Sequence, residues 1–431
     1  MSAPSHPAFS NSQAPSASDE RIAVVGAGLV GSAIAWRLAR DGHRVLLLDR
    51  AEPASAGSSF GNAGHIAVEQ LEPLPSIKLL LTFWRELTVC GGCVHIPLHR
   101  LAALAPWLAR FTAAAFHQQR NTPPLAALVR PAADILERTL RDIGRADLLM
   151  RRGHYAFWFG RRAPAQAAHQ AREARERGFG IEPAPAELTR VIEARTPGTV
   201  AGLWFRDSAH VLDPQSVAAA LVHAAVQAGG QFEREEVLEI YPEGSRIAVR
   251  TSGRLLKVRA AVVCAGVQSA PLLQRFGLHA PLTSERGYHL EFADTPALSD
   301  APVVYASHDL IVTPMRGRLR ATRYLEFERH GAPADARKIQ RLRLTLERLG
   351  YTSRTRHDGW VGSRPTLPDY LPGIGRAPGE APLFYAVGHQ HLGLTLATPT
   401  AEAMAALVSG REAPFDLRPL DLRRFGAPRP R

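Results

Sequence analysis

Four apolar residues in a row, Ile22, Ala23, Val24 and Val25, are followed by three glycines and then by a stretch of helical periodicity that runs to about Arg40. The first run is too short and too rich in branched side chains for a helix, and predicts a strand buried on both faces of a parallel sheet. Gly26, Gly28 and Gly31 stand in the spacing G-x-G-x-x-G. The first glycine permits a tight turn, the second lets backbone approach a pyrophosphate, and the third lets the following helix pack on the strand. The phosphates would sit on the positive N-terminus of that helix. "DGH" at 41–43 ends the helix, and "RVLLLD" predicts a second strand ending in Asp49. An acid roughly 20 residues beyond the glycines suits ribose hydroxyls and disfavours a ribose phosphate. This unit predicts a dinucleotide site, with NAD and FAD equally compatible.

Further along, the pattern is interleaved. Residues 71–150 read as mostly helical, with breaks expected at Pro97, Pro106, Pro123 and Pro124. "HYAFWF" predicts a strand, and "APAQAAHQAREARERG" a polar surface helix closed by Gly178. "DPQSVAAALVHAAVQAGG" offers Asp213 as N-cap, Pro214 at the first helical position and Gly229 at the end. "EEVLEIY", "RIAVRT" and "RAAVVCAG" then predict three strands joined by short turns, the last apolar enough for a sheet interior. The chain thus leaves the nucleotide-binding unit and later returns to it.

Composition narrows the function. The chain has 431 residues, 45% of them hydrophobic, enough for two or three domains' worth of core. No apolar stretch reaches the ~18–20 residues of a membrane span. The Ser/Ala/Pro-rich opening, residues 1–19, lacks the pattern of a secretory signal and reads as a disordered tail. The formal charge of +12 invites a nucleic-acid or membrane-surface reading. Yet 49 arginines against three lysines are scattered without a basic block, which argues against nucleic acid and leaves weak attraction to anionic lipid. Three cysteines make no disulfide framework, and the expected location is the cytoplasm, peripheral to the inner membrane at most. "CGGC", Cys90 to Cys93, has redox or metal spacing but no second pair to complete a zinc site.

Four segments together resemble the family of FAD-dependent amino-acid oxidases and dehydrogenases that includes D-amino acid oxidase, glycine oxidase and sarcosine oxidase. They are the Gly26 to Asp49 unit, "SSFGNAGHI", "VVCAGVQSAPL", and "GWVGSRPTLPDYLPGIG" followed by "LFYAVGHQHLGLTLATPTAEAM". "NAG", at Asn62, Ala63 and Gly64, most resembles the bacterial D-amino acid dehydrogenase and D-hydroxyproline dehydrogenase branch. The resemblance implies FAD and an α/β fold: a Rossmann-like FAD-binding domain with an interleaved α+β substrate-binding domain built on an antiparallel sheet. On this reading 20–70, 205–285 and 360–431 form the first domain, and 71–204 with 286–359 the second.

Residue by residue, the resemblance implies cofactor contacts from Gly26, Gly28, Gly31, Asp49, Arg50, Ser58, Asn62, Ala63, Gly64, His65, Ala265 and Gly266, with Val237 on the strand whose backbone holds the adenine. Gly388, His389, Gly393, Leu394 and Thr395 match a late glycine-rich turn. It could aim backbone N–H groups at a flavin carbonyl and stabilise the reduced anion. Arg364 in "GSRPTLPD" matches the arginine that grips the substrate carboxylate, for which a guanidinium fork is well shaped. The tyrosine that contacts substrate in glycine oxidase falls near Ile311, which is not aromatic; Tyr324 or Tyr288 are the expected substitutes. His391 is expected near the reactive amine. No cysteine follows Cys264, so noncovalent flavin is expected, His65 being the alternative point of attachment.

The implied reaction is hydride transfer from the α-carbon of a D-amino or imino acid to flavin N5, D-proline and 4-hydroxy-D-proline being the favoured substrates. The electrons would pass to a quinone or another redox carrier. A glycine- or sarcosine-type oxidase using oxygen is the near alternative, and a tRNA-modifying flavoprotein the distant one, disfavoured by the dispersed arginines.

Overall fold

The computed structural model of the chain describes residues 19–90, 92–196, 198–352 and 359–426. The strand Asp19–Val25 starts one residue inside the expected tail and lies parallel to Val45–Asp49 on one side and Leu255–Val263 on the other. Alternation sends Ile22, Val24, Val45 and Leu47 into one apolar cluster and Ala23, Val25, Leu46 and Leu48 into another across the sheet. Burial on both faces is why these strands read as continuous apolar runs. Helices Leu29–Arg40, Pro214–Gln227 and Ala397–Val408 cover the first face. Asp213 caps the second of them, its Oδ2 accepting from Ser216 N at 3.2 Å.

The nine-residue strand Leu255–Val263 serves two partners in turn. Its first half pairs antiparallel with Arg246–Thr251, which continues to Val237–Glu243. Its second half pairs parallel with Leu383–Val387. With Gln231–Arg234 outside Val45–Asp49 and Gly373–Arg376 outside Leu383–Val387, this gives an eight-stranded sheet.

A second sheet, of nine strands and mostly antiparallel, is centred on Thr283–Phe292, which lies between Trp360–Thr366 and Arg318–Phe327. Leu310–Met315, Val303–Tyr305, His154–Phe159 and Val200–Phe205 continue it outward. Trp360–Thr366 lies in the segment read as nucleotide-binding, but it hydrogen-bonds into this sheet. A small three-stranded sheet joins His65–Ile66, Ala209–Val211 and Leu149–Met150.

Two of the expected breaks do not occur. Pro106 lies inside the helix Leu101–Ala115, and Pro123 and Pro124 inside Gln118–Val129. A proline frees the carbonyl four residues earlier. Here those carbonyls belong to Ala102, Gln119 and Arg120, all exposed, so water satisfies them. Cys93 is buried, and burial pushes its thiol up to about 12, leaving it a poor nucleophile. The rest of the "CGGC" reading falls on Gly91 and the Cys90 side chain, outside the described residues.

Gly26 has φ +107°, and a Cβ there would stand 2.4 Å from the Cys264 carbonyl oxygen. A Cβ on Gly31 would stand 1.8 Å from the Gly26 oxygen. Strand, turn and helix therefore approach closely enough to exclude any side chain. Gly26→Ala should destabilise by about 3 kcal/mol or more, from strain and overpacking together. Urea unfolding checks this: a midpoint equal to that of the unsubstituted chain would mean that the turn relaxes freely.

Candidate active site

One cavity of about 1160 Å³ runs from the glycine turn to the second sheet. That exceeds the ~300–1,000 Å³ of most small-molecule sites and suits a dinucleotide with a small substrate beside it. At the near end Gly26 and Gly28 line it, with Asp49, Arg50 and Val237 behind them. Asp49 bridges the turn to the second strand: Oδ2 accepts from Ala27 N at 2.7 Å and Oδ1 from Ala51 N at 3.0 Å. Each oxygen keeps a lone pair for a ligand hydroxyl. Arg50 stands 3.7 Å from Glu236. Ser58 lines the wall, but its neighbour Ser59 is tied to the helix start, accepting from Leu29 N at 3.1 Å.

Midway, Asn62, Ala63 and His65 face Ala265 and Gly266 across the cavity. The loop that carries them is fastened to the second sheet. Buried Arg320 donates to the carbonyls of Phe60 and Asn62 at 3.0 and 2.6 Å while paired with Glu291 at 2.6 Å. His289 Nδ1 lies 3.3 Å from the Gly61 carbonyl, and its ring stacks on Trp360. Of these fastening residues only Trp360 lies in a motif segment.

From the other side, Gly388, His389 and Gly393 line the cavity in a turn that ends in the short helix Gln390–Leu392. The His389 ring itself is buried against Thr400, Nε2 to Oγ1 3.0 Å, as a satisfied core histidine. Four expected contacts are absent from the wall. Gly31 packs on the glycine turn, Gly64 hydrogen-bonds Asn62 and Val211, and Leu394 and Thr395 are buried behind the turn.

At the far end lie Arg364, Tyr324 and His391. Arg364 Nη1 donates to Glu285 Oε1 at 3.2 Å and to the Tyr324 carbonyl at 3.3 Å. Glu285 is fully buried and accepts also from Thr366 at 3.3 Å and Tyr370 at 2.6 Å. A Cβ on Gly287 would come within 2.2 Å of Arg364 Nη2, so that glycine makes room for the guanidinium. His391 is open to the cavity, whose walls withhold bulk hydration and push its imidazole down to about 4. Its Nε2 lies 3.2 Å from Gln70 Oε1. Tyr288 is excluded as the substitute tyrosine, because it is buried off the wall with its hydroxyl donating to Glu326 at 2.6 Å. Arg323, with no signal in the sequence, also lines the cavity and makes no ion pair among the described residues.

A profile of the FAD dependent oxidoreductase family matches residues 21–407. The chain belongs to that family. Among this flavoenzyme's relatives, the D-amino-acid oxidase of Bradyrhizobium diazoefficiens is 27% identical over 421 residues, covering 94% of this chain and 98% of that one. A D-amino acid dehydrogenase of Cereibacter sphaeroides is 27% identical over 430 residues, covering 95% and 96%. A solved glycine oxidase from Geobacillus kaustophilus shares the fold with a TM-score of 0.73 at 21% identity, over 94% of this chain and 99% of that one. The cofactor of this flavoenzyme is therefore FAD, and its chemistry an oxidation–reduction. The residues present fit the group: the side-chain-free approach at Gly28 suits a pyrophosphate, and Gln390 keeps a buried, unpartnered Oε1 beside the turn of Gly388.

One corner of the flavoenzyme's cavity holds His65, Glu69 and His154, their ligating atoms all within 4.8 Å of one another. His65 Nε2 and Glu69 Oε2 have no hydrogen-bond partner among the described residues. Burial pushes Glu69 up to about 7 and His65 down to about 3.

Burial also depresses His154, His210, His289 and His389, the last to about 3 and His210 and His289 to about 4. Between pH 6.5 and those values the unfolded chain binds protons that the folded one does not. The histidine contribution is therefore full above about pH 6.5 and falls as pH drops, each such histidine removing up to about 1.4 kcal/mol per pH unit, with Glu69 acting in the opposite sense between pH 4.5 and about 7. Urea midpoints should drop steeply from pH 7 to 5; a flat profile would contradict the neutral, buried assignment.

Proposed function

We propose that this flavoenzyme oxidises a D-amino or imino acid, D-proline and cis-4-hydroxy-D-proline being the favoured substrates, and that Arg364 binds the substrate carboxylate. When bound, FAD supplies the hydride acceptor, N5, for the hydrogen on the α-carbon. The observation that carries the reading is the state of Arg364. Its guanidinium is held from one side by a buried carboxylate, with the rest of the fork at the cavity wall. Glu285 fixes the plane, and a second carboxylate can take the free edge bidentately. A carboxylate so fixed aims one α-hydrogen, and that sets the stereochemical preference.

The amine must be neutral before the hydride leaves. The proton leaves to solvent before the amine is oriented, and His391 orients it: Gln70 Oε1 accepts from Nε2, which leaves the Nδ1 lone pair to accept an N–H of the neutral amine. With an imidazole at about 4, His391 does not titrate near neutrality. The pH dependence of kcat/KM should therefore rise from pH 6 to 9 with the substrate amine and carry no inflection from His391, an added inflection near 7 belonging to Glu69. An inflection near 6.5 that His391→Gln abolishes would assign it a titrating role instead. Exclusion of water falls to Ile311 and Trp360 on the wall. Ile311, where glycine oxidase has its tyrosine, favours an apolar ring over a small polar substrate. The electron acceptor we infer is a quinone or similar carrier, as in a dehydrogenase.

Arg364→Lys keeps a charge but loses the fork, and Arg364→Ala loses both. Activity should fall in that order, by roughly 2 to 5 kcal/mol in transition-state terms for Ala if the pair is desolvated. Flavin content should hold in both, and pyrrole-2-carboxylate should perturb the flavin spectrum of the unsubstituted protein but not of Arg364→Ala. If Arg364→Ala reduces its flavin at the original rate and Arg323→Ala does not, the anchor is Arg323.

A further inference from the structure

The helix Ile77–Glu86 has the sequence IKLLLTFWRE, yet none of its residues is fully buried. Ile77, Leu81 and Trp84, at positions i, i+4 and i+7, share its outer face with 50%, 74% and 57% of their surface exposed. The excess continues nearby in Val89, Leu98 and Leu101 at 85%, 84% and 42%, while the inner face, through Leu79 and Leu80, rests on the cluster of Trp107 and Phe111. Most of the chain's exposed large apolar side chains thus gather between Leu74 and Phe116. Scattered singly they would need no explanation, but Ile77, Leu81 and Trp84 on one helix face mark an interaction surface.

We propose that this face docks on an anionic lipid bilayer. Charge and chemistry favour a membrane over a protein partner. Lys78 and Arg85 flank the apolar stripe, are exposed, and make no ion pair among the described residues. The guanidinium of Arg85 lies 5.0 Å from the Trp84 ring, and tryptophan beside a cation suits the headgroup level. The +12 charge of the chain adds long-range attraction to anionic lipid. Leu71 and Leu74, just ahead of the helix, line the cavity, so docking sets one edge of the cavity against the bilayer surface.

The test uses purified holoprotein and sedimentation with vesicles of phosphatidylcholine, alone or mixed with phosphatidylglycerol. Binding is expected to the mixed vesicles at low salt, weakening as salt rises, with a blue shift of tryptophan emission. A triple variant, Ile77→Ser with Leu81→Ser and Trp84→Ser, should lower the partition coefficient by about tenfold or more with flavin content intact. Leu81→Ser alone carries the comparison if the triple variant folds poorly, and Leu255→Ser, exposed at the start of a strand of the other sheet, should change nothing. No sedimentation of the unsubstituted protein at low salt would overturn the proposal. So would equal binding by Leu81→Ser, or a dimer in solution that the triple variant dissociates without any lipid binding, which would make the face an interface between copies.

Discussion

A carboxylate without solvent, Glu285, governs the far end of the cavity. Burying such a charge unpaired costs several kcal/mol, so the surrounding structure must bring it partners. It does so from two directions: Arg364 and Thr366 on the adjoining strand, and Tyr370 in the turn beyond. Tyr370 has φ +57°, and its carbonyl accepts from Gln390 Nε2 at 2.6 Å. Thr366 bridges to His389 backbone. One acid therefore ties the second sheet to the turn of Gly388, and the distance between Arg364 and that turn is fixed by hydrogen bonds and not by apolar packing alone.

Much of the nucleotide end was legible because its signals are local. Three glycines, two apolar runs and Asp49 fall within thirty residues, and each encodes a steric or hydrogen-bonding need that the neighbouring sequence completes. Arg364 was legible only through its motif. Glu285 was not, because its partner is 79 residues away and the contact depends on the register of Thr283–Phe292 against Trp360–Thr366. Arg323 carries no signal in the sequence, and Tyr324 stands out there only beside Tyr288: it sits in a bulge opposite Gly287 with φ +74°, which no alternation rule supplies. The prolines misled for the reverse reason, since local propensity forbids what exposed carbonyls allow. Leu394 and Thr395 match their motif yet face the protein, because a motif records neighbourhood and not side-chain direction, and Gly64 spends its backbone groups on Asn62 and Val211.

The two sheets bound one cavity through the loop from Gly57 to Gly64. Its own secondary structure is a single helical turn, Gly57–Phe60, with no buried residue. What holds it is Arg320, bonded to two of its carbonyls, with the His289 and Trp360 rings beneath. A wall made of a loop is thereby given the rigidity of the sheet behind it, as orientation of a reacting carbon requires.

Three buried or half-buried arginines of the second sheet can be ranked by what they lack. Arg286 meets Glu326 at 3.3 Å, the Pro333 carbonyl at 2.8 Å and the Tyr288 hydroxyl at 3.3 Å. Arg320 meets Glu291 and two carbonyls. Both are saturated from several sides and serve the fold. Arg364 engages its acceptors through Nη1 alone, with 18% of its side chain exposed. A guanidinium has five donors in a fixed plane, and desolvating the remainder without an acceptor is unfavourable. The same protein that saturates two buried arginines leaves this one open, and the acceptor that completes it is most economically an anionic group on the molecule the cavity receives.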